Sequence, residues 1–562
     1  MSKLITTLQA ARYGSLFCLS LFSFAAQAQQ SPQSSPSLST QQLPQVQEAP
    51  LRAHLALLSS DLFEGRGTGQ RGGDLTVAYL EAQAQALGLL PANGTSYRQP
   101  VRISGVKALP AKSTVHLELA GKSLPMQFAD DWVWWTGNAQ TQQSFDHELL
   151  FVGYGISAPE EQWDDYKGVD CRGKILVMLV NEPRPTEAEP KRFGGAALTY
   201  YGRWNYKFEE ARRHGAAGVL LIHTDASASY GWSVVKNGGS AEHFQLQGAD
   251  TGVGLQAWIT DALAQQLFAG AGLNLDKLRE AAEKTDFRPV RLPAAKLKGE
   301  ARSALRQLEQ YNVAGIVPGT DPRLKQEVVI YSAHWDHLGK QEAKQDGNGD
   351  VIYNGAIDNG SGTAGLLAMA KAAVAQPARR SQMFLWVAAE EQGLLGSSAY
   401  AAQPLWPLRK TAAALNIDVM NFVGVTRDIG LAGSERSELQ LHALKVARDM
   451  QLQASPEAPD TAGGYFRSDH FSFAKAGVPA FSVSRGRDFI HHPQESSEKA
   501  RAYGKRYHQS TDKYDPDWDL SGMVQQAQFT LQLGYEIANS AKMPAWKAGD
   551  PFAQPRLNET TP

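Results

Sequence analysis

A set of histidines and carboxylates between His334 and His508 has the residue types and order for metal-assisted hydrolysis. The stretch from Val328 to Asp418 reads VVIYSAHWDH, then NGAIDNGSG, FLWVAAEEQG and LNIDVMN. Apolar, β-prone runs end repeatedly in a histidine or an acid. In a parallel α/β sheet, residues just past the strand ends gather along one edge, where ligands bind. His334, Asp336, Asp358, Glu390, Glu391 and Asp418 would then share one site, and Tyr507-His508 in a polar loop would add an imidazole. The set reads as a two-metal hydrolytic centre.

Taken singly, each position has a plainer reading. A strand-end histidine usually serves the fold, but Asp336 follows His334 by two residues, on the same side of an extended chain. A carboxylate there can hydrogen-bond the second imidazole nitrogen and fix the tautomer. Asp358, in a glycine-rich turn before a helix from Thr363, suits a helix N-cap. The same glycines would let the backbone wrap a metal pair bridged by that carboxylate. Glu390 and Glu391 end an apolar strand over 383–389 and point in different directions, so one can bind metal while the other faces the substrate water. Two acids there are costly unless a dication or a proton compensates them, the alternative being a solvated surface. Asp418 repeats the theme after 412–417. A histidine and a carboxylate for each of two ions, with one shared aspartate, make a balanced set, and mixed N/O ligands suit zinc.

The elements that must position these residues alternate between β and α from 311 to about 542, as in a mixed, mostly parallel doubly wound sheet flanked by helices. Strands are expected over 311–317 and 327–332, and a covering helix over 523–538. Upstream, Leu51, Leu55, Leu58 and Leu62 have helical spacing, 74–87 reads as a helix closed by Gly88, and 101–120 alternates with period two. Glu64-Gly65-Arg66-Gly67-Thr68-Gly69 follows no strand and lacks a Lys-Ser/Thr ending, which argues against a phosphate loop. Trp132, Trp134 and Trp135 read as a core or interdomain cluster. Residues 149–292 look like a separate small β-rich module with a helix over 206–214, in which His214 and His223 are surface or core residues.

Composition narrows the class. The chain has 562 residues, 43% hydrophobic, with a net charge of −2, so it has no basic footprint for nucleic acid or anionic membrane. Lys3 and Arg12 precede an apolar run over 14–26, and Ala26-Gln27-Ala28 offers small residues where signal peptidase reads, so cleavage is expected after Ala28. That run, which contains Cys18, is shorter than the roughly 20 residues of a spanning helix. After cleavage Cys171 is the only cysteine, a buried small hydrophobe with no disulfide partner. Residues 29–48 read as a flexible leader and 546–562 as a loose tail.

The motifs H-x-D, D-N-G-S-G, A-E-E-Q-G-L-L-G-S, N-x-D and Y-H-x-x-x-D, in this order, resemble the M28 family of zinc peptidases. The resemblance covers about 51–104 and 301–542 and implies the zinc-peptidase fold, with peptidase segments expected over 49–135 and 296–545. The pattern GYGI, Arg172-Gly173-Lys174-Ile175 and AAGVLLI resembles a protease-associated (PA) domain, inserted over 136–295. By resemblance His334 and Asp418 hold one Zn2+, Glu391 and His508 the other, and Asp358 bridges them. Glu390 is the general base acting on a metal-bridging water, and Asp336 orients His334. Gly464-Tyr465 before Ser468-Asp469-His470 matches a family motif in which Tyr465 would hydrogen-bond the oxyanion. Some secreted relatives bracket that tyrosine with a disulfide, and this chain has no cysteine there. The implied activity is that of an exported, periplasmic or secreted aminopeptidase acting on peptides with a free N-terminus. A carboxypeptidase or dipeptidase of the same fold, for which Arg467, Arg485 and Arg487 are candidate anion holders, a single-zinc glutaminyl cyclase and a non-catalytic binding protein are the alternatives. Side-chain specificity and oligomeric state are not readable from the sequence.

Overall fold

The strand Val328–His334 lies at the centre of the layer that carries the site. It pairs in parallel with Ser381–Val387 on one side and Thr411–Asn416 on the other, and Thr411–Asn416 pairs in parallel with Ala480–Ser482. The registers bring His334 opposite Val387, and Ser332 opposite Asn416. The C-terminal ends of these strands therefore lie along one edge. Every residue of the first three strands is buried, as expected where helices cover both faces of a parallel sheet. Helices Gly362–Ala375, Ser521–Asn539 and Glu48–Leu58 pack against one another beside the central strand. Phe471, Phe473 and Tyr400 join the core with Val328, Ile330 and Met383.

The computed structural model describes residues 43–228, 230–248, 252–341, 349–456 and 458–553. The expected cleavage site after Ala28, most of the flexible leader and Cys18 lie outside them. Among the described residues no helix is long and apolar enough to cross a membrane.

The expected separate module over 149–292 is instead continuous with the main sheet. The strand Val290–Val317 is 28 residues long, against about 5–6 for an ordinary strand. Its first half pairs with Gln142–Phe151 and its last residues with Ser381–Val387, both antiparallel. Residues Pro44–Pro562 accordingly form one compact unit. This segment is also not simply β-rich. Gln142–Phe151, Ile175–Leu179, Gly218–His223 and Leu255–Thr260 are successive parallel neighbours, with helices Trp204–Arg213, Asp261–Gly270 and Leu275–Ala282 between or after them. Alternate strand residues feed two cores, Ile175, Val177 and Leu179 one and Leu176, Met178 and Val180 the other. Strands His116–Leu119 and Trp132–Trp135 belong to this half by pairing, although both lie before residue 136. All three tryptophans of the cluster are buried there, and Cys171 is a free, buried thiol.

Several element bounds shift for physical reasons. The first helix stops at Leu58, leaving Leu62 exposed, and the second starts at Arg71. The period-two run divides into Arg98–Ala108 and His116–Leu119 around Pro110. The start of the expected loose tail packs on the fold, because Phe552 is buried against Phe471 and Asp550 pairs with Arg436 at 2.9 Å.

Candidate metal centre

Asp358 stands between two histidines from distant parts of the chain. Its Oδ1 lies 3.4 Å from His334 Nε2, and its Oδ2 lies 3.1 Å from His508 Nε2. His334 Nε2 is also 3.3 Å from Asp418 Oδ1, and His508 Nε2 is 3.0 Å from Glu391 Oε2. The expected residues His334, Asp358, Glu391, Asp418 and His508 thus meet at one edge of the sheet. Each approach is an imidazole nitrogen beside a carboxylate oxygen, and His508 Nε2 makes no hydrogen bond despite two oxygens so near. A nitrogen lone pair converging with carboxylates is the donor set of a borderline-soft dication, and the residues fit zinc.

Grouping by mutual reach is somewhat different. Donor atoms of His334, Glu390 and Asp418 lie within 4.8 Å of one another, as do those of His337, Asp358 and Glu391. His337 was not singled out from the sequence. It is fully buried, with Nδ1 2.7 Å from Glu391 Oε1 and its ring edge-on to His508 at 5.6 Å. The signal available was the second histidine of His334-Trp335-Asp336-His337, three residues after the first.

Asp336 does not orient His334 in the expected way. His334 Nδ1 faces the main-chain carbonyl of Asp336 at 3.2 Å, and the carboxylate is at 3.9 Å. That carboxylate instead accepts from the Glu390 main-chain N–H at 3.0 Å and from Thr68 Oγ1 at 3.3 Å. Tyr465 is also placed differently. Its hydroxyl donates to the Ala480 carbonyl at 2.9 Å, and its ring meets His470 edge-on at 4.8 Å.

The surrounding loops are locked from several directions. The glycine-rich Glu64–Gly69 loop buries Arg66 completely. Its guanidinium donates to the carbonyls of Trp335, Leu58, Asn354 and Gly355 at 2.6–2.9 Å. Gly65 has φ +68°, and a Cβ there would collide with the Tyr353 carbonyl oxygen, so only glycine fits. Asp512 accepts from the N–H groups of Ile357 and Asp358 at 3.2 Å, fixing the turn that presents Asp358. Ala389, Val419 and His508 sit at φ 53°, 56° and 57°. Left-handed backbone at non-glycine residues is strained, and here it flanks Glu390 and Asp418 and includes His508.

The electrostatics reflect carboxylates crowded out of water. Burial pushes Glu390 well above the usual carboxyl range, with His334 opposing and the charges of Glu391 and Asp418 adding. Burial works against Asp358 too, but the imidazoles of His334 and His508 beside its two oxygens hold it well below the ordinary value. Glu391 ends at about 2, because His337 and His508 outweigh burial and the repulsion of Asp358. His508 rises to about 10, its burial overcome by Asp358 and Glu391.

The family profile described as Peptidase family M28 matches residues 312–532. A probable leucine aminopeptidase of Arthroderma otae is 28% identical over 255 residues, covering 43% of this chain and 62% of that protein. Leucine aminopeptidase 2 of Trichophyton rubrum is 33% identical over 174 residues, covering 28% and 34%. The chain thus spans less than two thirds of the length of either relative. Among solved structures, an aminopeptidase from Aneurinibacillus sp. strain AM-1 aligns over 89% of this chain and 96% of its own, at 18% identity and a TM-score of 0.47. The matched segment holds every residue of the centre described above, and over that segment the chain is similar to peptidase family M28.

Proposed function

We propose that this chain is an exported zinc metallo-aminopeptidase with two ions per chain. The observation that carries the reading is Asp358, whose two oxygens face His334 and His508 separately. His334 and Asp418 would hold one ion, Glu391 and His508 the other, and Asp358 would lie between them. His337 stands behind Glu391 as its hydrogen-bonding partner. Two zinc ions, when bound, supply Lewis acidity to the scissile carbonyl and to the attacking water. Glu390 accepts the water proton and delivers it to the leaving amine, a task suited to a carboxyl whose pKa burial has raised. The substrate is read as a peptide with a free α-ammonium group. Leucine aminopeptidases among the relatives support that direction. Export is supported by Lys3, Arg12, the apolar run over 14–26 and Ala26-Gln27-Ala28.

The test is hydrolysis of peptides with free and with acetylated N-termini by zinc-loaded protein. Cleavage only of the free form is expected, and equal cleavage of both would overturn the aminopeptidase reading. Glu390→Gln is expected to lose about 10²–10⁴-fold in kcat and keep its zinc. Wild-type turnover by that metal-loaded variant would refute the role of Glu390. N-terminal sequencing of exported protein should begin at Gln29.

A second reading, a carboxypeptidase or dipeptidase of the same fold, is favoured by Arg485. Its Nη1 is buried without a hydrogen-bond partner, and its guanidinium lies 6.0 Å from the Tyr503 ring centroid. Cleavage of acetylated peptides that depends on a free C-terminal carboxylate would select this reading.

A further inference from the structure

Residues 460–468 begin against the insertion and end on a ligand of the proposed centre. Leu198 N–H donates to the Asp460 carbonyl at 2.9 Å, and Arg203 Nη1 to the Ala462 carbonyl at 3.3 Å. Within the loop, Tyr465 N–H donates to Asp460 Oδ2 at 3.0 Å and closes it on itself. At its far end Ser468 Oγ donates to Asp418 Oδ2 at 2.7 Å and accepts from Asn416 Nδ2 at 2.8 Å. The ring of Tyr200, from the insertion, packs 5.7 Å from Phe466 and 4.8 Å from Phe471, between the loop and the helix that follows it. The Tyr200 hydroxyl donates to Glu209 Oε1 at 2.8 Å, and Glu209 pairs with Lys475 at 2.7 Å.

We infer that Tyr200 and Glu209 are positioning residues through which the insertion holds the 460–468 loop and, by way of Ser468, the orientation of Asp418. The inference rests on Asp418 being a metal ligand, as proposed above. No disulfide braces this loop, since Cys171 is a free thiol far from it in sequence and the chain's other cysteine is Cys18. The hold is therefore non-covalent. The Glu209–Lys475 pair is partly exposed and contributes little by itself. The aromatic contact is the stronger element, because a ring packed at a tilt against Phe466 and Phe471 adds to the gain from burial. Groups that orient a metal ligand typically change metal affinity about 10–100-fold when lost.

The experiment uses the full chain with Tyr200→Ala, Tyr200→Phe, Glu209→Lys, and the swap Glu209→Lys with Lys475→Glu. Zinc affinity is read by competition with a chromophoric chelator, beside kcat, KM and a circular-dichroism check of folding. Tyr200→Ala is expected to weaken zinc binding about 10-fold and to lower kcat with KM little changed. Tyr200→Phe should keep most of both, and the swap should recover what Glu209→Lys loses. Limited proteolysis within 460–464 should be faster in Tyr200→Ala. Folded Tyr200→Ala protein with wild-type zinc affinity, kcat and proteolysis would overturn the inference. An Asp418→Ala control separates the two failures. If it keeps wild-type zinc affinity, the metal reading falls and takes this inference with it. If it loses zinc while Tyr200→Ala does not, only the inference falls.

Discussion

The main-chain N–H of Glu390 donates to the carboxylate of Asp336 at 3.0 Å, so a side chain beyond one strand fixes the backbone beyond its neighbour. The same residue turns its main-chain carbonyl to His334 Nδ1. Asp336 therefore sets the relative position of an imidazole ligand and the proposed base through two different groups.

Replacing Asp336 separates those contributions. Asp336→Ala leaves the Glu390 N–H and the Thr68 hydroxyl without an acceptor in a buried place. It is expected to cost about 1–3 kcal/mol in urea unfolding and to lower kcat at least about tenfold. Asp336→Asn retains one oxygen acceptor and should recover most of the stability. Equal loss in both variants would show that charge, not the hydrogen bond, is what matters.

Arg66 is a second structural prediction. Burial lowers its pKa to about 10, so it remains charged at neutral pH while satisfying carbonyls from three segments. Lysine has one nitrogen and cannot reach them all. Arg66→Lys and Arg66→Met should each lose about 3 kcal/mol or more, read as a lower urea midpoint at unchanged slope. A loss below about 1 kcal/mol would contradict this account.

His337 should matter through Glu391. His337→Ala removes a hydrogen-bond partner 2.7 Å from Glu391 Oε1. Zinc affinity is expected to fall about 10–100-fold in a chelator competition. His337→Gln, which can still donate to the carboxylate, should fall less. Unchanged affinity in the alanine variant would remove His337 from the centre.

His243 predicts an acid sensitivity away from the centre. Its ring stacks on Trp135 at 3.9 Å, and burial lowers its pKa from 6.5 to about 4. Between those values the unfolded chain binds a proton that the folded chain does not, so stability is full above pH 6.5 and is lost as pH falls toward 4. The contribution lost by pH 4.5 is on the order of 2–3 kcal/mol. His243→Phe keeps a ring on Trp135 and cannot titrate. Relative to wild type, its unfolding free energy should fall less between pH 7 and 4.5, and identical slopes would refute the assignment.

The strand-end residues were legible because the rule that exposes them is local. A buried strand must be apolar throughout, so His334 after VVIYSA, and Glu390 and Glu391 after FLWVAA, stand out against their own neighbours. His508 lies in a polar loop where a histidine carries no such contrast, and it was reached through a family motif. His337 carries no periodic signal, because the chain is irregular beyond His334. Its direction is set by a bridge to Gly67, far upstream in sequence. The long strand Val290–Val317 was half legible, its second part reading as a separate element because nothing local marks where one pairing partner replaces another.

What the sequence alone determined is the chemistry on offer: two adjacent acids, a glycine-flanked aspartate and a histidine at a strand end, on elements that alternate as a doubly wound sheet requires. Residue type and short-range periodicity are written in consecutive positions, so they survive without coordinates. Only the tertiary structure decided which groups meet. It set Asp358 between His334 and His508, turned the Asp336 carboxylate to Glu390, brought in His337, and packed Tyr200 against Phe471. Those choices depend on contacts between segments tens to hundreds of residues apart, and packing of the whole chain, not local preference, selects them.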